Sequence, residues 1–61
     1  MSTPYQQGVL VMNYLEALGA TSCEILDAIC DENRERSYNL IKENPKITRM
    51  EFLEKMGIEE G

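Results

Sequence analysis

The 61-residue chain has no histidine, and Cys23 and Cys30 are its only cysteines. A zinc site would therefore need carboxylates or a second chain to complete its ligand set. On one helix the two thiols share a face but sit about 10 Å apart along the axis, too far for a disulfide. They are expected to be small, reduced core residues. The longest apolar run, Val9 to Met12, is four residues. No segment approaches the roughly 18 apolar residues of a membrane span, and no basic-then-apolar leader opens the chain. These absences point to a cytoplasmic protein without a cofactor. A paired-carboxylate mechanism has only candidates such as Asp27 with Asp31, four apart on one helix. General acid and base work needs a cleft that shifts one pKa, and so short a chain hardly encloses one. The expectation is that the protein is not an enzyme.

Lysine and arginine are also missing from residues 1–33, where Glu16, Glu24, Asp27, Asp31 and Glu32 carry all the charge. All six basic residues lie between Arg34 and Lys55, and the chain as a whole carries −5. An anionic ligand would have to bind in that second half. With 43% hydrophobic and 28% charged residues, the composition is that of a folded domain spanning residues 1–61. So small a domain buries only about 60% of its unfolded surface, so self-association would help it.

What the sequence does have is a repeated grammar of helix starts. Thr3-Pro4-Tyr5-Gln6, Thr21-Ser22-Cys23-Glu24 and Thr48-Arg49-Met50-Glu51 each place threonine three residues before Gln or Glu. In a capping box the hydroxyl accepts from the third helical N–H, and the Gln or Glu accepts from the threonine N–H. Ile47 and Phe52 can close a hydrophobic staple over the third start. The fold class that follows is all-α, a compact bundle of three to four short helices.

The first helix is expected from Pro4 to about Leu18, with Gly19 in the left-handed position past its end. Its stripe of Val11, Tyr14, Leu15 and Leu18 is widened by Val9, Leu10 and Met12, so either neighbouring helices or a second subunit must cover the excess. The second helix, from Ser22 to about Cys30, is expected to bury Ile25, Leu26 and Ile29 around Ala28. Asp31 or Asn33 can cap a third helix reaching Glu43, with Tyr38 and Ile41 inward. Asn44-Pro45 ends it. The fourth helix, Arg49 to Met56, should bury Met50 or Phe52 with Leu53 and Met56, then stop at Gly57 with Ile58 in a Schellman-type contact. Met1, Met12, Met50 and Met56 are candidate gap-fillers, and Met12 equally suits an adaptable partner surface.

Asn33 to Ile58, NRERSYNLIKENPKITRMEFLEKMGI, resembles the opening of bacterial winged-helix and helix-turn-helix regulators. In those, a helix, a short Pro/Lys turn and an I-T-x-x-E-apolar second helix precede Gly-Ile. Only Glu59, Glu60 and Gly61 follow, leaving no recognition helix within these residues. A second register keeps a complete unit, because GATSCEI is similar to the G-x-x-S-x-E-I opening of many such regulators. Cys30 then stands where glycine usually turns, and Asp31 where an apolar plug is usual. This register implies a helix-turn-helix-like, dimeric arrangement on double-stranded DNA. Asn33, Arg36 and Asn39 would read bases, while Arg34, Lys42, Lys46 and Arg49 would position the phosphate backbone. Tyr5, Val9, Met12 and Glu16 on the first helix would form the dimer or partner surface.

Two functional expectations result. One is a small DNA-binding regulator acting as a homodimer. The other is an acidic protein-binding module or small inhibitor that docks Tyr5, Val9 and Met12 onto a larger protein, steered by Glu16, Asp27 and Asp31. Net negative charge opposes the first, since phosphate binding draws its affinity from basic groups that release counterions.

Overall fold

All three Thr-led starts close as capping boxes in a computed structural model of the protein, which describes residues 3–61. The order is α1 (Pro4–Ala17), α2 (Ser22–Ile29), α3 (Arg34–Glu43) and α4 (Arg49–Met56). No strand occurs among the described residues. Met1, a candidate gap-filler, lies outside them. The all-α bundle expected from the caps is the fold observed.

Helix α1 is the spine. It packs on both α2 and α3, while α4 closes the end of the bundle against α3. Val11 and Leu15 of α1, Ile25 and Ala28 of α2, Ile41 of α3, and Phe52, Leu53 and Met56 of α4 form one buried cluster with Ile47. Both halves of the expected staple, Ile47 and Phe52, belong to it. Two polar groups tie the layers. The buried Ser37 hydroxyl donates to the Ala28 carbonyl at 2.8 Å, joining α3 to α2. The Tyr14 hydroxyl donates to the Ile47 carbonyl at 2.7 Å, anchoring the α3–α4 connection to α1.

The helix ends follow the chemistry of their residues. Gly19 and Gly57 have φ of 84° and 74°. The following N–H groups, of Ala20 and Ile58, reach back to the carbonyls of Leu15 and Leu53 at 3.0 and 2.9 Å. These are the 6→1 bonds of a Schellman ending, and Ala20 and Ile58 both pack against the core.

Several expectations are corrected. Leu26 is 63% exposed and Met50 is 53% exposed. Cys23 and Cys30, expected in the core, are free and exposed. The reason is angular. At about 100° per residue, Glu24, Ala28 and Ile25 share one side of α2, while Leu26 and both cysteines point elsewhere. On α4 the inward stripe is Phe52, Leu53 and Met56, which leaves Met50 outside. Asn33 occupies the cap position of α3 but makes no side-chain cap bond. Its amide instead donates to the Asp27 carbonyl at 2.8 Å.

Gly57 and Gly8 should respond oppositely to alanine. A Cβ at Gly57 meets nothing within 4 Å, but an L-residue at positive φ costs about 1–2 kcal/mol. Gly8 lies inside α1, where a Cβ would sit 3.7 Å from Arg34 Cδ in ordinary contact. Gly57→Ala should lower the melting temperature by about 4–8 °C per kcal/mol lost, whereas Gly8→Ala should raise it. Thermal circular dichroism on the two variants checks both signs.

Candidate functional site

A surface fit for binding must carry groups that the fold itself does not consume. The outward side of α1 is one. Tyr5 is 80% exposed and Leu10 is 40% exposed, with Val9 and Met12 half-buried between the helix and its neighbours. On the α3 side, Tyr5, Val9 and Leu10 border an open groove with Tyr14, Ile41, Lys42 and Pro45. On the α2 side, Tyr5, Val9 and Met12 border a second groove with Ile29 and Arg34. Met12 and Ile29 continue into a third groove with Leu26 and Glu16. Shared lining residues make these one apolar surface that crosses α1. The four residues expected for a partner surface, Tyr5, Val9, Met12 and Glu16, all lie on it.

The outward side of α3 is different in kind. Arg36, Asn39 and Lys42 are exposed there. So are Glu35 and Glu43, so two cations face two carboxylates along the same strip. Lys42 is further occupied, with its ammonium 5.2 Å from the centre of the Tyr38 ring. Lys46 is exposed in the turn that follows.

The other residues expected at a nucleic-acid surface have partners inside the protein. Arg34 pairs with Asp31 at 2.9 Å, its side chain only 23% exposed. Asn33 is held by Asp27 as described. Arg49 is bound to Glu24 through two nitrogens, Nε donating to Oε1 at 2.8 Å and Nη2 to Oε2. The structure thus brings Arg36, Asn39 and Lys42 together on one face and directs Asn33, Arg34 and Arg49 into internal contacts.

Glu24 is the group the sequence reading undervalued, since its role there is only to complete a capping box. Its side chain is fully buried. Oε1 accepts from the Thr21 N–H at 2.9 Å as well as from Arg49, and Oε2 accepts from the Gly61 N–H at 2.8 Å as well as from Arg49. Four donors fill the roughly four lone-pair sites of a carboxylate. The Arg49 hydrogen bonds, followed by that of Thr21, hold the Glu24 pKa down to about 2. In the exposed counterpart at α4, hydrogen bonds from Thr48 lower Glu51. No three His, Cys, Asp or Glu side chains cluster as a metal site requires among the described residues. None of the helices there is long and apolar enough to cross a membrane.

Comparison with known proteins finds no family model that matches the chain, and no curated protein or solved structure that matches it. The functional argument therefore rests on these surfaces.

Because the folded Glu24 carboxyl titrates below its ordinary value of 4.5, its contribution to stability is complete above that pH and disappears as pH falls toward about 2. Denaturant unfolding followed from pH 6 to pH 2 should lose stability over that window. Glu24→Gln should be less stable at pH 6, leaving the Arg49 charge unmatched, and should show a shallower decline below pH 4.5. Asp31→Asn, which removes an exposed pair, should change little. A Glu24→Gln curve parallel to the parent would refute the assignment.

Proposed function

We propose that this chain is a small protein-interaction module whose working surface is the outward side of α1. The observation that carries the reading is the exposure of Tyr5 and Leu10 on the helix that also supplies the centre of the core. Large apolar side chains left open beside grooves are the usual anchors of protein docking, and their burial supplies most of the binding energy. Asn13 and Gln6 between them offer amides that can hydrogen-bond without the desolvation cost of a charge. The chain's −5 charge favours a protein over a phosphate backbone.

A second reading, the DNA-binding regulator, draws on one observation. Only Cys30 to Asn33 separate α2 from α3, and Arg36, Asn39 and Lys42 face outward from α3, as a helix-turn-helix reader would require. Against it, Glu35 and Glu43 share that face, and Arg34 and Arg49 are already paired.

Photo-crosslinking in the producing cell separates the two. A photoreactive side chain in place of Asn13 should give a discrete adduct that protease destroys and nuclease does not. The same group in place of Glu54, on the exposed side of α4, should give none. Val9→Asp should abolish the Asn13 adduct. Fluorescence anisotropy of a labelled random duplex should show no binding at about 100 μM protein and low salt, where nonspecific DNA binders already associate. Salt-sensitive duplex binding lost in Arg36→Ala would move the assignment to α3.

A further inference from the structure

The charges around the outward side of α1 are arranged so that the face complements itself when turned end for end. Glu16 is the only charged residue α1 carries, and it sits in the last turn. That is the wrong end for its own helix, because the carbonyl end of the macrodipole repels an acid. The first turn has no acid and the last turn no base, so the residues of α1 itself match its dipole at neither end. The N-terminal half is instead flanked by α3, with the Lys42 ammonium bordering one groove and, in the other beside Tyr5 and Val9, Arg34, whose charge is already matched by Asp31.

We propose that the occupant of this face is a second copy of the chain, docked so that the two α1 helices run antiparallel about a two-fold axis. The inference rests on the α1 reading above and names its partner. A two-fold interface must be self-complementary, each patch meeting its own image. Centred between Val9 and Leu10, the antiparallel pair sets Val9 against Leu10, and Gln6 against Asn13 where two amides can bond. Each Glu16 then reaches the amino-terminal turn of the other α1, where the dipole favours an acid, on the same half as Lys42. A parallel pairing would instead set Glu16 against Glu16 and cations against cations. The antiparallel arrangement covers the apolar surface of both copies, which is the gain a 61-residue domain needs most.

Sedimentation equilibrium between about 10 and 500 μM tests it, in a range where modest dimers populate. The parent should move from the 7.0 kDa chain mass toward twice that value. Val9→Asp should remain at 7.0 kDa with an unchanged helical spectrum. Glu16→Lys and Lys42→Glu, both at exposed positions, should each dimerise at least several-fold more weakly than the parent. An equimolar mixture of the two should recover the dimer, since every exchanged charge then meets its opposite. A parent that stays monomeric at 500 μM, or a dimer indifferent to both Val9→Asp and the charge exchange, overturns the inference. If the parent is monomeric but the Asn13 adduct contains a different protein, the interaction reading survives without self-association. With neither dimer nor adduct, both fall.

Discussion

The buried carboxylate of Glu24 is the constraint on which the arrangement of the four helices depends. An ionised carboxylate removed from water is destabilising unless its lone pairs are all engaged and a countercharge is close. Thr21, Arg49 and Gly61 meet that demand from three places in the chain: the start of α2, the start of α4 and the C-terminal segment. Any packing that moves α4 away from α2 strands a charge in the interior. Hydrophobic contacts alone do not discriminate so sharply, because Phe52 or Leu53 could exchange neighbours with modest loss. The ion pair therefore acts less as a source of net stability than as a selector of one docking of α4, the role best attested for buried polar groups.

That selection has a consequence for the surface. With Glu24 occupying an inward position, α2 contributes only Ile25 and Ala28 to the buried cluster, and Leu26 is left outside. Arg49 likewise spends its charge inside the protein. The same pair that orders the bundle thus thins its core on the α2 side and withdraws a cation from the basic half. The apolar surface beside α1 and α2 adjoins that thinned side, whereas the nearly neutral strip along α3 follows from Glu35 and Glu43 standing among Arg36 and Lys42.

Local signals made the helices legible, and long-range ones were harder to see. Each Thr-x-x-Glu or Thr-x-x-Gln box acts within four residues, so α1, α2 and α4 could be placed to within a residue of their observed starts. Gly19 and Gly57 marked their endings for the same reason. But Glu24, Gln6 and Glu51 look identical in that grammar, and only Glu24 is buried. Its partner lies 25 residues away, beyond any local pattern. A quieter signal existed in the helical spacing. Glu24 stands four before Ala28, Arg49 four before Leu53 and seven before Met56, and Ser37 four before Ile41. Each polar residue lies on a stripe whose other members are buried. Polar residues on apolar stripes are candidates to find one another, and the opposite charges of Glu24 and Arg49 name the pair. The cysteines fail the same test, since neither shares the angle of Ala28, and both are exposed.

The outward side of α1 inverts this logic. There, apolar residues stand on a stripe whose chain-internal neighbours do not cover them, and the excess already visible as Val9, Leu10 and Met12 remains visible as exposed or half-buried surface. Within one copy, α2 and α3 flank α1 on two sides and α4 lies against α3, so none of the four helices is free to cover it. Covering it from outside removes apolar area from water and also supplies the missing acid at the start of α1. Two unrelated deficits, one hydrophobic and one electrostatic, would be met by the one antiparallel contact proposed. A flat apolar partner would relieve only the first. That coincidence is the argument for a directed, antiparallel partner on the outward face of α1 over an undirected apolar one.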